Sequence, residues 1–266
     1  MKAAARCSNG RIIYINKSDE RGRSLLRSGG NFNPNALVIW LALLAERAWT
    51  HVIDVGANYG EMLVGVELPR HATTIALEPN PYIFPYLRRT LKKAGLDVRL
   101  LPMAASDRAG TVTLNVDRDW SGLSSVAGIQ AESVEHTVEA VEVPATTLAV
   151  TVADHAGNPR FVRLLAKIDV ESHEIAVLRG LGDALPALQE FAAMVEIKHL
   201  SEPDVQWLLE NFAIELLDVE AGKITAVDAK TSGELKRLLA GPRFYRRDAV
   251  LRRRQGAAVN AAPSAS

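Results

Sequence analysis

The feature of this sequence that most constrains its fold is an alternation of short apolar runs with helix-like segments, which begins at about residue 51. The runs are rich in β-branched residues and each ends at a turn or at charged residues; they are Val52–Val55, Thr73–Leu77, Val98–Leu101, Leu164–Val170 and Ala193–Ile197. Strands of this kind are buried on both faces, which is typical of a parallel sheet covered by helices. The sequence therefore predicts an α/β fold with polar groups at the carboxyl edge of the sheet, where ligands bind in folds of this class.

Two later runs complete a mostly parallel sheet of seven strands, with helices on both faces. Ile214–Val219 is predicted to be a strand, and Arg246–Leu251 a final one that is antiparallel, because no crossover helix of adequate length separates it from its neighbour. Helices are predicted to start at Asn33-Pro34, at Asn80-Pro81 and at Ser201, because these residue types satisfy the free backbone amides of a first helical turn.

The chain divides into a main domain, a segment at each end and one insertion. Residues 1–46 are predicted to form an N-terminal strand and helix, and residues 47–251 the α/β domain. A polar, glycine-bearing stretch interrupts the alternation within residues 108–145, which we interpret as an insertion and candidate substrate loop. Residues 252–266 begin with three arginines and continue mainly with Gly, Ala, Ser and Pro, a composition typical of a disordered tail.

Charge and composition exclude several classes of protein. The chain has 31 basic and 31 acidic residues, so it lacks the surplus positive charge of a protein that binds nucleic acid through phosphates. Its single cysteine, Cys7, excludes an intramolecular disulfide framework and a multi-cysteine zinc site. The longest apolar run, Ala36–Ala45, has half of the ~20 residues that a membrane span needs. We expect a cytoplasmic protein without a membrane span, in which this apolar helix offers a contact surface for a homo-oligomer.

Residues suited to binding chemistry first occur in the segment Asp54–Gly60, Asp-Val-Gly-Ala-Asn-Tyr-Gly. Gly56 permits a tight turn with its backbone close to a ligand, and Gly60 lets a helix approach the strand. The spacing differs from the Gly-x-Gly-x-x-Gly of nicotinamide enzymes, whose diphosphate needs a dense set of amides. A nucleoside with an amino-acid tail needs a carboxylate for its ammonium group, which Asp54 would supply. The two glycines are also compatible with an ordinary turn between strand and helix.

Acidic and small residues follow the next two predicted strands. Glu78 ends the second strand, where a carboxylate can accept hydrogen bonds from both hydroxyls of a ribose. The third strand leads into Ala104–Asp107, where small residues leave room for a flat purine and Ser106 or Asp107 would accept from its exocyclic amine. The alternatives are a helix-capping or solvated role for Glu78 and a plain turn at Ser106-Asp107.

Charged residues are densest after the fourth strand, in Lys167–Glu174, Lys-Ile-Asp-Val-Glu-Ser-His-Glu. Such groups are costly beside a buried sheet edge unless function holds them there. The full set of motifs comprises Asp-Val-Gly-Ala-Asn-x-Gly, Glu-Pro-Asn, Ala-x-Ser-Asp, Lys-Ile-Asp-Val-Glu-x-His-Glu with Val-Leu-Arg-Gly, and a strand that ends in Glu196. In these motifs, which span roughly residues 51–200, the chain resembles the FkbM-type S-adenosylmethionine-dependent methyltransferases.

The resemblance implies a Rossmann-like fold, S-adenosyl-L-methionine as cofactor, and methyl transfer to a hydroxyl of a sugar, glycan or polyketide-type acceptor. Residue by residue, it places the methionine part of the cofactor at Asp54, Gly56, Ala57, Asn58, Tyr59 and Gly60, the ribose at Glu78 and Pro79, and adenine beside Ser106 and Asp107, with Asp169 bordering both cofactor and acceptor. Two positions depart from the family pattern. Ser172 stands where the family usually has Gly, and Lys198 where it tends to have His, which here is His199.

The acceptor hydroxyl needs a base, because an alcohol is a poor nucleophile at neutral pH. The candidates near the carboxyl edge are Asp169, Glu171, His173, Glu196 and His199. We predict His199 or Asp169 as the base, with Glu196 orienting it. The residues predicted to contact the acceptor are Glu171, His173, Trp120 and Ser124. Structural alternatives are a surface position at a helix start for His173, a loop position for His199 and a loop anchor for Trp120.

Three of these carboxylates also raise the question of a metal ion. Asp169, Glu171 and Glu196 supply the oxygen ligands that magnesium prefers. Nothing in the sequence directs three ligands to one point, so no metal ligands are predicted and a divalent ion stays an unsupported alternative.

Other functional classes compete with methyl transfer to a small molecule. An RNA or protein methyltransferase would share the cofactor motifs but associate with its macromolecule in a salt-sensitive way. A nicotinamide-dependent oxidoreductase is disfavoured by the glycine spacing. A non-catalytic nucleoside-binding module would need Asp54 and Glu78 but not Asp169 or His199.

Overall fold

The structure, a computed structural model of the chain, describes residues 3–128 and 136–254. Within these ranges the strands are β1 (Ala4–Arg6), β2 (Ile12–Tyr14), β3 (His51–Val55), β4 (Thr73–Leu77), β5 (Val98–Leu101), β6 (Ala104–Ala105), β7 (Gly110–Asp117), β8 (Val138–Thr146), β9 (Arg163–Ile168), β10 (Glu190–Glu196), β11 (Phe212–Asp218), β12 (Lys223–Ala226) and β13 (Asp248–Arg253). The helices are α1 (Glu20–Arg27), α2 (Pro34–Glu46), α3 (Glu61–Val64), α4 (Phe84–Ala94), α5 (Leu148–His155), α6 (Glu174–Arg179), α7 (Ala184–Ala187), α8 (Glu202–Asn211) and α9 (Ser232–Ala240).

The main sheet has the strand order β12-β11-β13-β10-β9-β3-β4-β5 among the described residues. Strands β5, β4, β3, β9 and β10 pair in parallel, whereas β13 is antiparallel to both β10 and β11. The predicted α/β fold is confirmed, including its antiparallel final strand. The sheet differs from the prediction by its eighth strand: β12 pairs with β11 across a turn in which Asp218 accepts a hydrogen bond from the Ala221 amide.

Helices cover both faces of this sheet, which explains its apolar strands. In β3, Ile53 and Val55 pack in the cluster that contains α5, α6 and α8, whereas Val52 packs with Trp40 of α2 on the opposite face. Each of these side chains is at most 1% exposed. Burying an aliphatic side chain of this size contributes about 1.5–3 kcal/mol, so both layers are needed to stabilise the strand.

Two of the three predicted helix starts are confirmed. The Asn33 side chain accepts a hydrogen bond from the Ala36 amide, so α2 begins at Pro34, and Ser201 caps α8 in the same way. The prediction at Asn80-Pro81 is wrong, because α4 begins at Phe84. Asn80 instead closes a local turn by accepting from the Tyr82 amide at 3.0 Å, a competing use of an Asn side chain.

The N-terminal segment and the residues between β5 and α5 meet at the carboxyl edge of the main sheet. Strands β6, β8 and β7 form a separate small sheet, and β1 pairs with β2. The buried carboxylate of Asp19, which caps α1, also accepts hydrogen bonds from Ser121 N at 2.8 Å and Ser121 Oγ at 2.9 Å. One buried carboxylate thus joins the two segments over the edge where the loops of the main sheet converge.

The predicted C-terminal tail starts too early. Arg252 and Arg253 continue β13: Arg252 pairs with Glu46 and Glu215, and Arg253 donates hydrogen bonds to backbone carbonyls after α7. Residues 255–266 of that tail, and residues 129–135 of the predicted substrate loop, lie outside the described residues. None of the helices in the described ranges is both long enough and apolar enough to cross a bilayer.

Candidate active site

A cavity opens at the carboxyl ends of β3, β4 and β9. We call it the first cavity. Its lining residues are Arg21, Val55, Gly56, Asn58, Leu77, Glu78, Pro79, Asn80, Met103, Ala104, Ala105, Leu114, Ser121, Gly122, Ser124, Ser125, Val126, Asp169, Val170, Glu171 and His173. Sequence motifs that are far apart in the chain therefore meet at the carboxyl edge of the sheet, where the sequence analysis predicted a ligand site.

The turn after β3 brings backbone to the floor of this cavity. Gly56 has φ +75°, and a Cβ there would lie 2.1 Å from the carbonyl oxygen of Asp169. Only glycine fits this conformation and this close approach between β3 and β9. Asn58 also has a positive φ, +47°, and its backbone amide donates a hydrogen bond to Glu78 at 2.7 Å.

Glu78 is the buried carboxylate of the first cavity. Its side chain accepts the Asn58 amide on Oε2 and the Asn80 amide, at 2.8 Å, on Oε1. Burial raises the pKa of Glu78 to about 7, although the two amides oppose this shift. Each carboxylate oxygen has a second lone pair, so both oxygens can still accept a hydrogen bond from a ligand.

Only some of the residues that were predicted to lie beside the purine line the first cavity. Ala104 and Ala105 line it, but Ser106 and Asp107 do not. Ser106 Oγ lies 2.9 Å from His173 Nε2 and donates to Asp107 at 3.2 Å. His173 itself lines the cavity, and burial lowers the pKa of its imidazole. The side chains of Ser106 and Asp107 are thus engaged with each other and with His173.

Asp54 lies behind the cavity and is paired with a lysine. Its carboxylate is fully buried, and Lys167 Nζ lies 3.3 Å from Asp54 Oδ1 and 3.5 Å from Asp169 Oδ2. Burial raises the pKa of Asp54, while Lys167 opposes this. Burial also opposes ionisation of Asp169, but Lys167, Arg247 and Arg21 outweigh it and lower the pKa of Asp169 to about 2. Asp169 is therefore the ionised carboxylate that faces the cavity.

A second cavity adjoins the first. Its walls come from the N-terminal segment, α2, α3 and the sheet edge: Cys7, Ser8, Arg21, Gly29, Gly30, Asn31, Phe32, Asn33, Ala36, Leu37, Glu61, Met62, Gly65, Lys167, Asp169, Met194, Arg247 and Asp248. Arg21 and Asp169 line both cavities and so stand between them. Arg21 is held there by an ion pair with Glu61 and lies 4.6 Å above the Phe32 ring.

Further along the edge, Glu171, Glu196 and His199 form a cluster. One ligand-type atom of each lies within 4.8 Å of the others, and His199 Nε2 is 3.6 Å from Glu171 Oε2. Arg247 Nε is 2.7 Å from Glu196 Oε1. Burial, with Asp169 and Glu171 nearby, raises the pKa of Glu196, and burial lowers that of His199. These two predicted catalytic residues lie outside the lining of both cavities.

Comparison with known protein families identifies the family to which the chain belongs. The family model described as the methyltransferase FkbM domain matches residues 54–224, well over half of the chain. The chain belongs to the FkbM methyltransferase family. The predicted resemblance is thereby confirmed, and the cofactor of this FkbM methyltransferase is S-adenosylmethionine.

Several solved structures are similar to this FkbM methyltransferase. A SAM-dependent O-methyltransferase from Thermotoga maritima is 11% identical, with a TM-score of 0.42, over 96% of this chain and 80% of that one. The plantazolicin methyltransferase BpumL in complex with SAH is 11% identical, with a TM-score of 0.42, over 90% and 92%. An O-methyltransferase from Bacillus cereus in complex with SAH is 10% identical, with a TM-score of 0.39, over 84% and 82%. No curated protein matches the chain.

Several predicted site residues of the FkbM methyltransferase support the cavities from outside. Ala57, Tyr59 and Gly60 are not among the lining residues, and the Tyr59 hydroxyl donates to Asp19 at 2.6 Å. Trp120 packs edge-on against Phe32, with ring centroids 6.5 Å apart, and lines neither cavity. The geometry therefore favours the alternative of Trp120 as a loop anchor over a stacking contact.

The remaining predicted residues of the loop do reach the first cavity. Ser124 lines it, and its hydroxyl accepts hydrogen bonds from Asn80 Nδ2 at 3.3 Å and from the Asp117 amide at 3.1 Å. Ser125 Oγ donates to the carbonyl of Glu171, so the loop also touches the turn after β9. The candidate substrate loop thus covers the cavity that contains Glu78.

Sequence reasoning missed two arginines that the structure brings to the site. Arg21 lies in α1, far along the chain from its partner Glu61, and no motif marked it. Arg247 lies in the predicted strand Arg246–Leu251, where no motif marks it, and it faces Glu196. The strand pairing contains the missing signal for Arg247: Asp248 is the register partner of Glu196, so a predicted β10–β13 pair would have placed its neighbour there.

Proposed function

We propose that this FkbM methyltransferase transfers the methyl group of S-adenosylmethionine to a hydroxyl of a sugar, glycan or polyketide-type molecule. The observation that carries the proposal is the position of Asp169, which lines both the first and the second cavity. A carboxylate between a donor site and an acceptor site can take the proton of a hydroxyl as the new bond forms.

The residues of the first cavity suit the cofactor. The free lone pairs of Glu78 can accept from the two ribose hydroxyls, and the small side chains of Ala104 and Ala105 leave a flat surface for adenine. The backbone at Gly56 and Asn58 is close to the position where the amino-acid part would lie. Asp54, which was predicted to hold the ammonium group, is paired with Lys167 and would not contact that group directly.

The second cavity suits a polar acceptor. Its walls carry the charged side chains of Arg21, Lys167, Arg247 and Asp248 beside the ring of Phe32. Several fixed donors and acceptors around an apolar surface match a polyhydroxylated or glycosylated molecule better than a purely apolar one. In this arrangement the acceptor lies under the N-terminal segment, and the loop with Ser124 and Ser125 covers the cofactor.

Bound S-adenosylmethionine supplies an electrophilic methyl group on a sulfonium. The displacement is in line, so the walls of the two cavities contribute mainly by aligning the acceptor oxygen with that methyl. Asp169 would accept the proton of the acceptor hydroxyl during the transfer. Lys167, 3.5 Å from Asp169 Oδ2, fixes the carboxylate and keeps it ionised before the proton arrives.

Methyl transfer from labelled S-adenosylmethionine to a panel of hydroxylated sugars, glycan precursors and macrolides tests the proposal. We expect Asp169→Asn to lower kcat by about 10²–10⁴-fold, the usual contribution of a positioned base, with the affinity for S-adenosylhomocysteine changed less than about threefold. The matched control is Asp228→Asn, at a largely exposed side chain remote from both cavities. Label that entered only RNA or protein, or an unchanged kcat for Asp169→Asn, would contradict the proposal.

A further inference from the structure

Arg21 is a largely buried cation at the boundary of the first cavity, where the proposed transfer gives it no task of its own. Its side chain is 12% exposed, and it lines this cavity together with Gly56 and Asn58, beside which the amino-acid part of the cofactor is proposed to lie. That part of S-adenosylmethionine carries a carboxylate as well as an ammonium group. We propose that Arg21 binds the carboxylate of the cofactor.

The charges around the first cavity single out Arg21 for this role. Among the described residues that line the cavity, Arg21 is the only arginine or lysine. His173 also lines it, but burial lowers the pKa of that imidazole, which is therefore neutral at neutral pH. The ionised carboxylate of Asp169 repels an anionic group elsewhere in the cavity. A carboxylate bound here therefore belongs beside Arg21.

The contacts of Arg21 leave hydrogen-bond donors free for a ligand. Glu61 accepts from Nη2, whereas Nε is buried without a hydrogen-bond partner among the described residues. A guanidinium has five N–H donors, so this single ion pair does not satisfy it. A Cβ on Gly122 would lie 3.6 Å from Nη1, and Gly122 lines the first cavity. A carboxylate in that cavity can therefore accept from Nη1 while Glu61 stays on Nη2.

The fold holds Arg21 in this position before a ligand arrives. Its guanidinium carbon lies 4.6 Å from the centroid of the Phe32 ring, and Glu61 pairs with it on the other cavity's side. The helix that carries Arg21 is capped by Asp19, whose carboxylate also accepts from the Ser121 amide at 2.8 Å. A side chain fixed in this way loses little conformational freedom on binding, so more of the contact appears as affinity.

Arg21 lies outside the part of the chain that defines the family. The FkbM family model matches residues 54–224, whereas Arg21 belongs to the N-terminal segment. This segment therefore contributes to binding of the cofactor and not only to the walls of the second cavity. The role of Arg21 rests on the placement of the cofactor in the first cavity, and it does not depend on the identity of the acceptor.

Calorimetry of the full chain with two nucleosides tests this role. S-adenosylhomocysteine carries the amino-acid part, and 5′-methylthioadenosine is a similar thioether nucleoside without it. We expect Arg21→Gln to weaken binding of S-adenosylhomocysteine about ten- to a hundredfold, because charge-assisted hydrogen bonds are lost, and to change that of methylthioadenosine less than about threefold. Arg21→Lys, which keeps the charge, should recover part of the lost affinity. Arg27→Gln, at an arginine of the same helix that is 62% exposed, is the matched control and should bind both nucleosides like the wild type.

Glu61→Gln separates ligand binding from a purely structural role of the ion pair. If Arg21 only supported the fold through Glu61, removal of either partner would weaken binding of both nucleosides alike. We expect Glu61→Gln to bind S-adenosylhomocysteine at least as tightly as the wild type, because Arg21 keeps its charge and loses a competing carboxylate. The double variant Arg21→Gln/Glu61→Gln leaves neither charge of the pair behind. It should show the same selective loss of S-adenosylhomocysteine affinity if Arg21→Gln alone does not fold.

Equal losses for the two nucleosides in these Arg21 variants, or unchanged affinity for S-adenosylhomocysteine, would overturn the role of Arg21. Wild-type protein that binds both nucleosides equally well would overturn it too. Retained binding of methylthioadenosine shows that the first cavity of a variant is folded. No acceptor is present in these titrations, so their outcome is independent of methyl transfer to a hydroxyl, which the labelling assay tests separately.

Discussion

At the scale of single residues, Glu78 combines two tasks that a sequence motif cannot separate. Its oxygens accept the amides of Asn58 and Asn80, and thereby hold the turn after β3 against the turn after β4. The same carboxylate faces the first cavity. The position of Glu78 at a strand end was sufficient to predict a cavity contact. Its second task, holding the two turns together, could be recognised only from the structure. Both amides belong to loops, and the periodicity of the sequence does not reveal the conformation of a loop.

We expect Glu78→Gln to weaken binding of S-adenosylhomocysteine by about ten- to a hundredfold. The amide retains one acceptor oxygen, so one charge-assisted hydrogen bond of about 1.5–3 kcal/mol is lost. Isothermal titration calorimetry measures the change. Glu142→Gln, at an exposed residue of β8, should leave the affinity unchanged. Equal affinity of Glu78→Gln and wild type would remove Glu78 from the cofactor site.

Cofactor affinity should also depend on pH through Glu78. Its pKa is raised to about 7, chiefly by burial, and ribose hydroxyls donate to the ionised form. Affinity is therefore fully present above that pKa and is lost as the pH falls through it. If only the ionised form binds, the dissociation constant is about tenfold higher at pH 6 than at pH 8. Calorimetry at several pH values measures this slope, which should vanish in Glu78→Gln.

At the scale of elements, the close approach of β3 and β9 shows what sequence patterns do and do not reveal. The apolar runs predicted both strands, and the glycine motif predicted a tight turn. The register was not predictable: Asp54 and Lys167 are direct partners across the two strands, so their side chains lie on one face and neutralise each other. Asp54 therefore lies behind the cavity and pairs with Lys167 of the neighbouring strand. The local sequence around Asp54 does not contain this partner, so its role could not be predicted from that sequence.

Gly56→Ala should be far more destabilising than Gly95→Ala. Both glycines have a positive φ, +75° and +65°, which costs a residue with a Cβ about 1–2 kcal/mol. Only at Gly56 would the Cβ also lie 2.1 Å from a backbone oxygen; at Gly95 nothing lies within 4 Å. We expect the free energy of unfolding to fall by more than about 3 kcal/mol for Gly56→Ala and by about 1 kcal/mol for Gly95→Ala. Urea unfolding measures both, and equal losses would contradict the described contact.

At the scale of the whole molecule, the sheet was predictable and the second cavity was not. Strands β3, β4, β5, β9 and β10 are each marked by a local apolar run, and the rules of parallel sheets restrict the possible orders of such strands to a few. The second cavity depends on Arg21 of α1 and on the segment before α2, which lie over the sheet edge through tertiary contacts alone. Asp19 makes one such contact with Ser121, and neither residue belongs to a recognisable motif.

The intact protein should distinguish its cofactor from a dinucleotide by thermal stability. A ligand present at 100 times its dissociation constant stabilises the folded state by about 2.7 kcal/mol, which corresponds to roughly 5–11 °C for a chain of this size. We expect such a shift with S-adenosylhomocysteine and none with NAD at the same concentration, because the ionised carboxylate of Asp169 would repel a diphosphate. Differential scanning calorimetry gives both values; a larger shift with NAD would favour the oxidoreductase alternative.

The most direct test of the central claim is a crystal structure of the full chain grown with S-adenosylhomocysteine. The account predicts electron density for the nucleoside in the first cavity, with both ribose hydroxyls within hydrogen-bond distance of Glu78 and the sulfur atom on the side of Asp169. A first cavity without the nucleoside, or the nucleoside bound elsewhere on the chain, would contradict it.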